Sequence, residues 1–276
     1  MSNRLVSLFA KGFRFPEGPA FDRNGNLFIV NIESGDISKI TTEGQVKTFV
    51  NTGGAPNGAR FHPNGDLYVA DRQKGIITVS PDGKIRVVLD HYLGRKFNGP
   101  NDLIFDSRGN LYFTDPHGST AENPFGCVYR LSSAGEIVCL ASGLDYPNGL
   151  VLSQDERFLF VANTRKNRIL RYVLDPPPFR SYIFSQLSWG WGPDGMAFDV
   201  AGNLYVAHYG GGDVLILNPK GELVERIPVG GGHPTNVAFG GPDHKTVYVT
   251  EVETGSVYRF NADQPGLPLY GDTKAR

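Results

Sequence analysis

Six residues of this chain, Glu17, Asn57, Asn101, Asn148, Asp194 and Thr235, each follow a proline and each carry side-chain oxygen. A second polar set trails them by 14 to 16 positions: Asn31, Asp71, Asp115, Asn163, His208 and Glu251. Carboxylates and carboxamides crowded into a narrow space are costly to desolvate unless a cation compensates them. An oxygen-rich set with no thiolate and little imidazole favours a hard ion, Ca²⁺ first, then Mg²⁺ or Mn²⁺, with Zn²⁺ less natural. Taken singly, the same residues fit a plainer role, solvating or capping strand ends. The chemistry therefore depends on whether the fold gathers them.

The elements that would do so are written as a repeat. Variants of one phrase recur six times: PEGPAFDRNGNLFIVN at 16–31, PNGARFHPNGDLYVAD at 56–71, PNDLIFDSRGNLYFTD at 100–115, PNGLVLSQDERFLFVAN at 147–163, PDGMAFDVAGNLYVAH at 193–208 and PTNVAFGGPDHKTVYVTE at 234–251. Their spacing of 40 to 47 residues is that of a propeller-type repeat. In the second copy GARFHP, DLYVADR, IITVSP and KIRVVLD are four β-branched and aromatic runs parted by turn residues, enough for one four-stranded blade. Helical periodicity is absent over any comparable window. The sixth copy supplies only three such runs, whereas RLVSLFA at the N-terminus has no partner of its own. It is expected to serve as the outer strand of the last blade, closing the ring and leaving few free edges. The fold expected is all-β: a six-bladed β-propeller with four strands per blade, spanning residues 1–276 as one domain. Its 35 glycines and 19 prolines are spread along the chain rather than pooled in a linker, and Pro176 to Pro178 are expected at a loop edge.

Antiparallel neighbours joined by a tight turn start and finish at the same edge. The two polar sets are thus expected on one face, the first around the axis if the first strand is innermost. The DxxGN-type turns go to the other face, where Asp22, Asp106 and Asp199 bond their own backbone and His62 and His244 have structural roles. Asp102 either supports the site from behind Asn101 or bonds nearby backbone. Trp189 and Trp191 either wall an apolar side of a pocket or pack between blades.

Composition narrows the function. Twenty-seven basic residues stand against 28 acidic ones, a net charge of −1, which gives no electrostatic footprint for nucleic acid and no polybasic membrane anchor. The N-terminus lacks the apolar stretch of a signal peptide, and no run of about 18 apolar residues occurs, so a cytoplasmic protein is expected. Cys127 and Cys139 make neither a disulfide framework nor a metal-binding pair by spacing, and are expected to pack as small hydrophobes. No GxSxG elbow is present, and the GGG runs at 210–212 and 230–232 lack a phosphate-loop setting.

The phrases FPEGPAFD, FNGPNDLIFDSRGNLYFTDPHG, YPNGLVLSQDERFLFVAN, GPDGMAFDVAGNLYVAHYGGG and TNVAFGGPDHKTVYVTE together resemble the senescence-marker-protein, gluconolactonase and luciferin-regenerating-enzyme family, most of all its bacterial gluconolactonase-like members. The resemblance implies a divalent cation held by Glu17, Asn101, Asn148 and Asp194, and hydrolysis of a small-molecule lactone whose carbonyl the cation polarises. It also implies Asp194 as the group that orients or deprotonates water. Lys96 stands where relatives place an arginine, and Gly99 replaces their serine, so the substrate contacts expected of Lys96, Asn98, His117 and His208 depart from the family pattern. Two other functions fit the sequence: phosphotriester hydrolysis on the same metal site, as in diisopropyl-fluorophosphatase relatives, and a non-catalytic propeller scaffold.

Overall fold

Strands form where β-branched and aromatic residues run between Gly, Pro, Asn and Asp clusters. A computed structural model describes residues 4–174 and 180–272, and the expectation for Pro176 to Pro178 lies outside them. Six four-stranded antiparallel sheets follow one another along the chain. Blade 1 comprises Pro16–Phe21, Leu27–Asn31, Asp36–Ile40 and Val46–Asn51; blade 2, Pro56–Phe61, Leu67–Asp71, Gly75–Val79 and Ile85–Leu89. Blade 3 comprises Leu103–Phe105, Leu111–Asp115, Gly126–Leu131 and Ile137–Leu144; blade 4, Pro147–Leu152, Phe158–Asn163, Arg168–Val173 and Ser181–Gln186. Blade 5 comprises Gly192–Phe198, Leu204–Tyr209, Asp213–Leu217 and Leu223–Pro228. Blade 6 has Pro234–Gly240, Thr246–Glu251 and Ser256–Asn261, and its fourth strand is the N-terminal Ser7–Lys11, antiparallel to Ser256–Asn261 as the orphan run RLVSLFA requires. These are the blades and strand order of a six-bladed β-propeller. The described helices are two single 3₁₀ turns, Thr164–Lys166 and Tyr270–Asp272. None among the described residues is long and apolar enough to cross a membrane.

The chain divides into two compact units of three blades each. Glu17–Pro147 with Pro268–Arg276 holds blades 1 to 3, and Met1–Pro16 with Asn148–Leu267 holds blades 4 to 6. Inside each unit the inner strands are covered on both faces, so they read as nearly continuous apolar runs: Leu27–Asn31, Gly75–Val79 and Asp213–Leu217 are buried throughout. The fourth strands, such as Ile85–Leu89, are largely exposed. The cores lie between neighbouring blades. Phe28, Val30, Ile37, Ala59, Val69 and Ile77 interleave blades 1 and 2, and Tyr205, Val214, Val237, Val247 and Phe260 interleave blades 5 and 6.

The far-edge turns are built as their sequence suggests. Asp22, Asp106 and Asp199 each accept two backbone N–H groups, from Asn24 and Asn26, Arg108 and Asn110, and Ala201 and Asn203, and each also binds the amide side chain of the turn asparagine. His62 accepts from Asn64 N–H and packs against Tyr68, Phe105 and Tyr270, while His244 takes a left-handed turn position at φ 57°. Cys127 and Cys139 are free thiols in blade 3, half-buried and hydrogen-bonded to the carbonyls of Phe125 and Ala141.

Candidate metal centre

The register places the first polar set where a sheet is locally irregular. Pro56 pairs with Asp71 and Ala59 with Val69; Pro193 pairs with His208 and Met196 with Val206; Pro234 pairs with Glu251 and Asn236 with Thr250. An extra residue is thus inserted in blades 2, 5 and 6 at Asn57–Gly58, Asp194–Gly195 and Thr235. Bulges of this kind re-aim side chains and recur beside active sites. In blade 3, Asn101 and Asp102 precede the regular strand, tied by Asn101 N–H to Thr114 O and Thr114 N–H to Asp102 O. All six residues of the set are buried: Glu17, Asn57, Asn101, Asn148, Asp194 and Thr235 are at most 7% exposed.

The glycine that follows most of them serves the next blade. A Cβ on Gly18 would strike the Asn57 carbonyl, and one on Gly58 would lie 2.5 Å from Asp102 Oδ1 and 2.7 Å from Asn101 O. In the other unit, a Cβ on Gly149 would strike Asp194 O, and one on Gly195 the Asn236 carboxamide. Within each unit, then, the two first strands that carry this glycine rest it directly on the next first strand, and consecutive members of the set are neighbours: Glu17, Asn57 and Asn101 in one unit, Asn148, Asp194 and Thr235 in the other.

Their partners differ. Glu17 Oε2 accepts from Gly18 N–H at 2.8 Å, and Thr235 Oγ1 donates to Pro16 O at 2.8 Å. With the Asn57 carboxamide turned so that its oxygen faces donors, that oxygen accepts from Arg72 Nη2 at 2.9 Å, Arg72 Nε at 3.2 Å and Asn101 Nδ2 at 3.1 Å. Arg72 was not signalled by the repeat, because it follows the motif that ends at Asp71. Asp102 bonds nearby backbone, accepting from Leu103 N–H at 2.8 Å.

The second polar set fastens loops. Asp71 accepts N–H groups from Ala55, Gln73 and Lys74 and the Thr52 hydroxyl; Asp115 accepts from Asn98 N–H, Gly99 N–H and Asn98 Nδ2. Glu251 accepts from His233, Glu253 and Thr254 N–H and the Thr254 hydroxyl, and those bonds hold its carboxyl below its ordinary range despite burial. For Asp115 burial prevails and raises the carboxyl. His233, Glu251 and Glu253 bring possible ligand atoms within 4.8 Å of one another, yet Glu251 is engaged as above and Glu253 accepts from Gly232 N–H.

Of the four residues expected to touch substrate, Asn98 and His117 are held at Asp115 and Gly99 beside blade 3, and Lys96 precedes them in a hairpin of its own. Lys96 is exposed in a small hairpin of His91–Tyr92 with Arg95–Lys96; exposed Asn98 is fixed to Asp115; exposed His117 lies with its Cβ against Gly99. His208 stands apart from these three. It is 0% exposed, enclosed against Gly211 and the edge of Trp189, with Nε2 3.1 Å from Asn167 Oδ1. Burial pushes its imidazole down to about 4, so it is neutral near pH 7. Asn167, in the left-handed position after the 3₁₀ turn, also donates Nδ2 to Trp189 O at 2.7 Å, a role no local pattern announced.

A family profile described as the SMP-30/Gluconolactonase/LRE-like region matches residues 15–253. The chain is 32% identical to a gluconolactonase of Zymomonas mobilis, over 89% of this chain and 78% of that protein. It is 30% identical to the diisopropyl-fluorophosphatase of Loligo vulgaris, over 93% and 92% of the two chains. Among solved structures, a gluconolactonase of Xanthomonas campestris superposes with a TM-score of 0.84 at 23% identity, covering 94% of this chain and 90% of that one.

Proposed function

This chain belongs to the SMP-30/gluconolactonase/LRE-like family, and on that premise we propose that it is a cytoplasmic, metal-dependent lactone hydrolase acting on a small-molecule lactone. The observation that carries the reading is the burial of an oxygen-bearing side chain at the same place in successive blades, with carboxylates at Glu17 and Asp194. A buried carboxylate calls for a compensating charge, and oxygen donors of this type fit a hard divalent ion. Glu17, Asn101, Asn148 and Asp194 are the proposed ligands, for Ca²⁺ in the first place and for Mg²⁺, Mn²⁺ or Zn²⁺ as substitutes. The Asn57 oxygen occupies the Nδ2 end of Asn101, which leaves the oxygen end of that amide for a cation. When bound, such an ion supplies Lewis-acid polarisation of the lactone carbonyl.

The chain's own residues have the remaining tasks. Asp194, at the bulge of blade 5, orients the attacking water and accepts its proton at a carboxylate oxygen. Asn98 and His117, beside blade 3, and Lys96, in the hairpin before it, meet substrate hydroxyls, and Asp115 holds Asn98 and Gly99 in place. His208 acts indirectly, through the loop it supports.

Proton release from a panel of lactones, followed with a pH indicator with and without chelator, tests the proposal. Turnover should vanish with chelator and return with added Ca²⁺ or Mn²⁺. Glu17→Gln and Asp194→Asn should each lose at least about 10²-fold in kcat while unfolding cooperatively, as expected when a charged transition-state contact is removed. Undiminished activity in both variants would eliminate the site. Likeness to the fluorophosphatase over nearly the whole chain supports a second reading, phosphotriester hydrolysis at the same ligands. Parallel assays on a phosphotriester separate the two, and absence of both activities together with absence of bound ion would leave the scaffold reading.

A further inference from the structure

Trp191 is 71% exposed, far more than its size predicts for a side chain left to pack as it can. Its backbone is nonetheless fixed. Trp191 N–H donates to Tyr209 O at 2.8 Å, and the preceding Trp189 and Gly190 both take left-handed conformations, at φ 52° and 62°. Gly192 lies so close to Thr164 O that no Cβ would fit. The indole rests on Gly210, where a Cβ would come within 2.6 Å of Trp191 Cδ1, and its edge meets Tyr209 at 5.7 Å and 64°. The first glycine of the 210–212 run is therefore the seat of the ring.

Trp189 does the opposite work. The Arg226 guanidinium covers its face at 4.1 Å and His208 meets it edge-on at 5.4 Å. One tryptophan is spent on structure, and the other is held out from a rigid loop three residues before Asp194, at the strand edge where Gly192 pairs with Tyr209 and Pro193 with His208.

The surroundings of Trp191 indicate what it would receive. The ring lies against the backbone of Gly210 and the Tyr209 ring, which His233 meets in turn at 4.7 Å, so what adjoins the indole is aromatic surface and backbone. A hydroxyl laid on an indole face would give up its water to a surface that offers it no acceptor of comparable strength, whereas an apolar surface loses nothing.

We propose that Trp191 is the platform for the apolar part of the substrate, so that lactones bearing an alkyl or aryl substituent are preferred over polyhydroxylated sugar lactones. This rests on the lactone-hydrolase reading above.

The test is a series of γ-lactones with lengthening alkyl chains beside glucono-δ-lactone, assayed on the wild type, Trp191→Ala and Trp191→Phe. Wild-type kcat/KM should climb with chain length. Trp191→Ala should flatten that climb, losing roughly tenfold on the longest lactone through KM and little on the sugar lactone, and Trp191→Phe should restore most of it. The chain's only tryptophans are Trp189 and Trp191. A Trp189→Phe variant therefore reports Trp191 alone, and its emission should respond to an alkyl lactam, which resists hydrolysis, and not to a sugar lactam. Lactone turnover with unchanged selectivity in Trp191→Ala overturns the platform and leaves the hydrolase standing. No lactone turnover in the wild type sinks the hydrolase reading; an indole that then still responds to the alkyl lactam upholds the platform, and a silent one removes it too.

Discussion

At the scale of single residues, His208 shows how a polar position of the repeat can change its task. The same place in other blades holds Asp71, Asp115 or Glu251, whose carboxylates collect loop N–H groups; His208 instead fills space beside Gly211 and bonds Asn167. Its imidazole is depressed to about 4 by burial, against about 6.5 when unfolded. The unfolded chain therefore binds more protons between these values, and stability falls as pH drops from about 6.5 towards 4, by on the order of 3 kcal/mol in total. Above pH 6.5 the contribution is complete. Urea unfolding at pH 7.5 and pH 4.5 should show this loss, and His208→Gln should show a much smaller dependence over the same range. An identical slope in the variant would move the titration to other groups.

At the scale of elements, the proline–polar–glycine step joins bulge and blade contact in one device. The inserted residue turns the polar side chain, and the glycine lets the neighbouring first strand approach. A methyl group at Gly149 would need the Asp194 backbone to move, and one at Gly58 would displace Asn101 and Asp102. Gly149→Ala and Gly58→Ala are each expected to cost about 1–3 kcal/mol, the range for overpacking, and to weaken divalent-ion binding, measured by calorimetry. Gly83→Asn makes the control. It sits in an open turn at φ 82° with nothing within 4 Å of a Cβ, and asparagine tolerates that conformation. If Gly149→Ala binds the ion and melts as the wild type does, the blade contact is not what positions Asp194.

At the scale of the whole chain, what was legible and what was not divide along range. The repeated β-branched and aromatic runs parted by turn residues announce every blade, and the missing strand of the sixth copy announces the partner for the N-terminus, because the repeat carries both signals. Arg72 on Asn57, Asn167 on His208 and the seating of Trp191 on Gly210 join residues 15, 41 and 19 positions apart with no shared pattern, so only the folded chain displays them. The N-terminal strand offers the sharpest test at this scale. Ser7–Lys11 covers the edge of Ser256–Asn261, and Arg4 reaches past it to Glu225 at 2.9 Å and Asp263 at 2.7 Å, pairs that raise its already high pKa further. Arg4→Ala removes a half-exposed network and should cost no more than about 1 kcal/mol. Deleting residues 1–11 should do much more, since it bares a row of unpaired N–H and C=O groups on a strand that carries Val257, Tyr258 and Phe260, a template for pairing with other chains. The truncated protein should melt at lower temperature and scatter light on warming, while Arg4→Ala stays clear. A truncated chain that stays clear on warming with an unchanged midpoint would mean that the sixth blade holds with three strands and that the N-terminus merely decorates it.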